Sequence, residues 1–81
     1  MPDFIETIPI AGKKYYFIFR KVSTPDGVKF FVSTLENNDL ISFEIRGGKV
    51  GEWKLLDPVP DWIRQIEPKL FEAIKNHLDK K

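Results

Sequence analysis

Lys13-Lys14-Tyr15-Tyr16-Phe17-Ile18-Phe19-Arg20-Lys21, read at a two-residue period, places aromatic side chains on both faces of one strand. An antiparallel strand ordinarily covers one core and turns its other face to water, so a second apolar face needs a second cover. The fold turns on which of these residues point inward, and the flanking turns assign them.

Downstream, Thr24-Pro25-Asp26-Gly27 has Pro preset for the first turn position and Gly for a left-handed closing position, which predicts a type I turn with a bulge. That turn pairs Val22 with Phe30, Arg20 with Val32 and Ile18 with Thr34. In Glu36-Asn37-Asn38-Asp39 the two asparagines tolerate positive φ. A two-residue loop there sets Thr34 against Ile41, Val32 against Phe43 and Phe30 against Ile45. At Gly47-Gly48 a tight turn would bring Phe43 opposite Glu52, so a bulge at Gly51 is expected, matching Phe43 with Trp53 and Ile41 with Leu55. Upstream, Phe4-Ile5-Glu6-Thr7-Ile8-Pro9-Ile10 reads as an edge strand, because Pro9 cannot donate to a ladder, and it turns through Ala11-Gly12.

These registers predict one face holding Tyr16, Ile18, Val22, Val28, Phe30, Val32, Ile41, Phe43, Ile45, Val50, Trp53 and Leu55. After Asp57-Pro58-Val59-Pro60 the apolar period changes to three and four, and Ile63, Ile66, Leu70, Ile74 and Leu78 form the stripe that covers it. Pro68 and Glu67 interrupt the stripe, so a short turn near 60–66 and a helix near 68–79 are expected. The fold class read from this pattern is α+β: an antiparallel five-stranded β-meander with a C-terminal helix, kinked or broken near Pro68, packed on one sheet face. One domain over 1–81 is expected, the sheet at about 4–56 and the helical tail at about 60–79.

A domain of 81 residues buries only roughly 60% of the surface its unfolded chain exposes, so its seven Phe, two Tyr and two Trp supply much of the core. Without cysteine, thiolate catalysis, zinc–thiolate sites and disulfides are excluded, and a cytoplasmic location is the expectation. Met1-Pro2-Asp3-Phe4-Ile5-Glu6 has neither the basic region nor the apolar stretch of a secretory signal. The longest apolar run is about five residues against the roughly 20 that a membrane-spanning helix needs, so no membrane partner is expected. Thirteen Lys and Arg against twelve Asp and Glu leave a formal charge of +1, far from the excess of a typical nucleic-acid binder.

The predicted second face carries Lys13, Tyr15, Phe17, Phe19 and Lys21, then Lys29, Phe31, Ser33 and Leu35, then Leu40, Ser42, Glu44 and Arg46, with Phe4 and Ile8 able to join the rings. The candidate partner-binding residues are Tyr15, Phe17, Phe19, Phe31, Lys21, Lys29 and Arg46. Their expected use is homodimerisation or binding of a protein partner, since apolar patches of several hundred Å² mark association surfaces. The alternative is a single-stranded nucleic acid, whose bases stack on rings while Lys and Arg track its phosphates. The strand-then-helix order looks like the repeats of some single-strand-binding proteins, a likeness of architecture carried by no motif.

No catalytic, metal or cofactor motif is present, and no enzyme activity or cofactor is expected. His77, the only histidine, falls at the edge of the helical stripe and reads as a partly buried helix-end residue. Gly47-Gly48-Lys49-Val50-Gly51 lacks both the spacing of a phosphate-binding loop and a following helix. Glu44 and Glu52 belong to a charged surface beside Lys and Arg. Pro58 and Pro60 punctuate the junction between sheet and helix, where Trp62 is expected to anchor the helix to the sheet.

Overall fold

The computed structural model describes residues 4–25, 27–47, 52–56 and 58–79. Five strands, β1 (Phe4–Ile10), β2 (Lys13–Thr24), β3 (Gly27–Glu36), β4 (Asp39–Gly47) and β5 (Trp53–Leu55), form one curled antiparallel sheet in meander order. Two helical segments follow, α1 (Asp61–Gln65) and α2 (Glu67–Asp79). The class is α+β. The bulge expected at Gly51 and the place of Val50 lie outside the described residues, as does Asp26.

Two of the hairpins close through left-handed backbone, which suits Gly12, Asn37 and Asn38 but not Ala11. Ala11 and Gly12 close the β1–β2 hairpin at φ 51° and 82°, and Asn37 and Asn38 close β3–β4 at φ 51° and 71°. The β3–β4 register is the expected one, with Thr34 opposite Ile41, Val32 opposite Phe43 and Phe30 opposite Ile45. β1 is an edge strand carrying Pro9, paired only with β2.

The β2–β3 hairpin differs from expectation by one residue. Thr24 pairs with Gly27, so the loop is Pro25-Asp26 alone, and Val22 stands opposite Lys29, Arg20 opposite Phe31 and Ile18 opposite Ser33. Gly27 makes this possible: its φ of +143° is closed to residues with a side chain, and a Cβ there would come within 3.0 Å of the Gly47 carbonyl oxygen. The Thr24 hydroxyl donates to the Gly27 carbonyl at 3.0 Å and ties the two strand ends. Because side chains alternate, a slip of one residue turns every residue of β2 over. Phe17 and Phe19 face the helices and are fully buried, whereas Tyr16 is exposed on the opposite side with Ile18 and Val22. Burying two phenylalanines contributes roughly 1.5–3 kcal/mol each, and Tyr16 keeps its hydroxyl in water instead of needing a buried partner.

β5 is also displaced. Leu55 pairs with Ile45 and Trp53 with Gly47, in place of Ile41 and Phe43. The Trp53 ring lies over Gly47, where a Cβ would approach it to 2.7 Å, and its centroid is 5.8 Å from that of Phe30. The displacement from the expected partner, from 43 to 47, is an even number of positions, so Trp53 and Leu55 keep the core side.

The helices cover that side. Ile63, Ile66, Leu70, Ala73 and Ile74 are buried in one cluster with Ile8, Phe17, Phe19, Phe30, Val32, Phe43, Ile45 and Leu55. Ile66 breaks the helix at φ −101°, ψ 12°. Pro68, in the first turn of α2, has no N–H for the Arg64 carbonyl of a continuous helix. The Ile66 carbonyl instead accepts from the Lys69 and Leu70 amides at 2.9 and 3.1 Å. Among the described residues, no helix is long and apolar enough to cross a membrane.

The register of β2 is testable by stability. Phe19→Ala is expected to cost about 3–5 kcal/mol in urea denaturation, and Tyr16→Ala less than about 1 kcal/mol. The reverse order contradicts the observed pairing.

Candidate functional site: the outer sheet face

The face away from the helices is assembled in cross-strand rows. Ile5, Ile18, Ser33 and Ser42 make one row, and Arg20, Phe31 and Glu44 the next. Val22, Lys29, Arg46 and Lys54 make a third. At the far end stand Thr7, Tyr16, Leu35 and Leu40. The large apolar residues of the described chain that are exposed are Ile5, Tyr16, Phe31, Leu35 and Leu40, between 40% and 68% accessible, and every one lies on this face.

Local contacts hold the polar part of the face in place. Arg46 Nε lies 3.4 Å from Glu44 Oε2. The Lys29 ammonium is 5.0 Å from the centre of the Phe31 ring, so a ring and a cation are presented together. Ser33 and Ser42 hydroxyls are 3.4 Å apart across β3 and β4.

At the far end the β2–β3 ladder stops at Ile18–Ser33, although β2 continues against β1 and β3 against β4. The Thr34 hydroxyl donates to the Tyr16 carbonyl at 2.9 Å where the ladder ends. A mainly apolar cleft of about 240 Å³ opens there, with Tyr16, Ile18, Leu35 and Leu40 as walls and Lys14 at its border.

Of the residues singled out from the sequence, Phe31, Lys29 and Arg46 are on this face. The other four are not. Phe17 and Phe19 are core residues, and Tyr15 is half-buried on the same side with its ring centroid 4.8 Å from that of Trp62. Lys21, opposite Phe30, is exposed on the core-side register of β2. The physical reason is the Thr24–Gly27 pairing, which reverses β2. Phe4 and Ile8 do join Tyr15, Phe17 and Phe19, but beneath the helices. Tyr16, Ile5, Leu40 and the cations Lys14, Arg20 and Lys54 were missed as site residues. A signal for them was present, since pairing β1 with β2 puts Phe4 and Ile8 beside the odd-numbered rings and makes that side the more apolar.

Trp62 anchors α1 to the sheet through Tyr15 and, at 6.4 Å, Phe17. Its Nε1 is buried and has no hydrogen-bond partner among the described residues. His77 stacks on Phe4 with centroids 4.0 Å apart, and Phe4 stacks on Phe19 at 4.4 Å. Phe30 meets both phenylalanines edge-on at 6.0 and 6.2 Å. Histidine is therefore part of a packed ring column. No group of three or more His, Cys, Asp or Glu side chains suited to a metal ion occurs among the described residues.

Comparison with protein-family models, curated proteins and solved structures returns no match. The site has to be read from its own geometry.

Thr34→Val is expected to cost about 1–3 kcal/mol in urea denaturation, because it leaves the Tyr16 carbonyl without its donor at the end of the ladder. An unchanged midpoint would show that this hydrogen bond does not hold the cleft.

Proposed function

We propose that this protein is a small non-enzymatic binding or assembly module whose contact surface is the outer face of its sheet. The observation that carries the reading is the collection of Ile5, Tyr16, Phe31, Leu35 and Leu40, all exposed, on the single face that the helices leave bare. Scattered exposed apolar residues need no explanation, whereas a set gathered on one face and bordered by charge is the pattern of an association surface. Homodimerisation, or the seating of a protein partner, would bury that set. Among the described residues the helix layer exposes no large apolar side chain, because its apolar stripe is already spent on the core.

Native size tests the reading. Wild type is expected to run larger than its 9.5 kDa mass, either purified at micromolar concentration or in extract of the cells that make it. Leu40→Glu and Phe31→Glu are expected to return it to a folded 9.5 kDa monomer, with far-ultraviolet circular dichroism as the check on folding. If wild type and both variants are monomers of identical size in both settings, the outer face is not a contact surface.

A further inference from the structure

We infer, resting on the reading of the outer face as a contact surface, that its partner is a single-stranded nucleic acid. The chain as a whole carries a charge of +1, but that charge is not evenly spread. Among the described strand residues, the outer face holds five cations, Lys14, Arg20, Lys29, Arg46 and Lys54, against one carboxylate, Glu44. Glu52, just ahead of β5, is exposed beside Lys54 at the border. Asp61, Glu67 and Glu72 belong to the helices on the opposite layer. On those helices Arg64, Lys69 and Lys75 offset these acids, so the surplus of positive charge among the described residues lies on the outer face, and the low total charge says little about the potential above the sheet.

This segregation separates the competing occupants. A second copy docked face to face would set five cations against the same five, and the one carboxylate of each copy already lies 3.4 Å from its own Arg46. Like charges brought together in this way oppose association. A polyanion meets no such opposition. The exposed rings then favour a single strand over a duplex, because Tyr16 and Phe31 stand out from a sheet and can stack only on bases that are not already paired and stacked.

The layout fits both requirements. Lys29, Arg46 and Lys54 occupy neighbouring strands, roughly 4.8 Å apart by strand spacing, and form a basic row at one end. Phe31 adjoins that row, with the Lys29 ammonium near its ring. Tyr16 lies four positions from Arg20 along β2, roughly 13 Å away, with Lys14 beyond it. A strand laid along β2 and β3 reaches both rings with cations at either end. The apolar cleft beside Tyr16 lies at the end of this path.

The experiment is fluorescence anisotropy of the full chain with a labelled oligothymidylate of about 15 nucleotides, its RNA counterpart and a duplex of the same length. With all five cations on phosphates, binding is expected to weaken about a hundred-fold between about 50 and about 200 mM salt. Tyr16→Ala, at an exposed position, is expected to weaken single-strand binding at least about fivefold while leaving the circular dichroism spectrum unchanged. Lys29→Gln with Arg46→Gln is expected to lower the slope of log affinity against log salt by about 1.4. Lys75→Gln on α2 should alter neither quantity. Absence of binding at about 50 mM salt, binding indifferent to salt, or a Tyr16→Ala affinity equal to wild type each overturns the inference. If the native complex survives nuclease but is lost in Leu40→Glu, the contact surface stands and its occupant is a protein. A native complex that nuclease reduces to the monomer supports the nucleic acid.

Discussion

The pairing of Thr24 with Gly27 is the constraint on which the remaining structure rests. A glycine at φ +143° lets the strand resume immediately after Pro25-Asp26, and the Thr24 hydroxyl closes the junction onto the Gly27 carbonyl. From that point the pleat leaves no freedom: odd-numbered residues of β2 take the helix side of the sheet and even-numbered ones the outer side. The core composition, the exposed rings and the charge of the outer face all follow from one backbone conformation that other residues cannot adopt without strain.

What the hairpin places inward is then consolidated by ring packing. His77, Phe4 and Phe19 lie in a column, with Phe30 edge-on and Trp53 beyond it. Offset and edge-to-face contacts of this kind add about 0.5–1.5 kcal/mol each to simple burial, a substantial fraction of what a domain this small can accumulate. At the other end of the helical layer, Trp62 performs the same service for Tyr15 and Phe17. The helix break at Ile66 lets α1 and α2 each lie against the curled sheet, one over each aromatic group.

Most of this architecture is legible in the residues themselves. Asn37-Asn38 and Gly12 mark left-handed turns, Pro68 marks the break, and the Ile63-to-Ile74 stripe identifies the buried helix face. The β2 register was not legible from the turn alone, because Thr24-Pro25-Asp26-Gly27 serves a loop of two or three residues equally well and the difference reverses a whole strand. Apolar matching across β2 and β3 did not decide it either, since both sides of β2 are apolar. The outer face was therefore located correctly on β3 and β4 and inverted on β2. Arg20 was misplaced together with the rest of β2, and the net charge, summed over the chain, hides the basic surplus that Lys54 completes on the outer face.

The ring contact between Phe4 and His77 has a further consequence for how the sheet comes apart. An edge strand held by one ladder, and weakened there by Pro9, is the natural place for fraying to begin. Here it is gripped from both sides, by Phe19 in its neighbour and by His77 from the last helix. The entropy of closing a loop grows only with the logarithm of its length, so joining the first strand to the last helix costs little more than joining neighbours. In exchange the most vulnerable strand cannot peel away alone. Its release requires the final helix to lift as well, which couples the two extremities of the described chain into one cooperative unit.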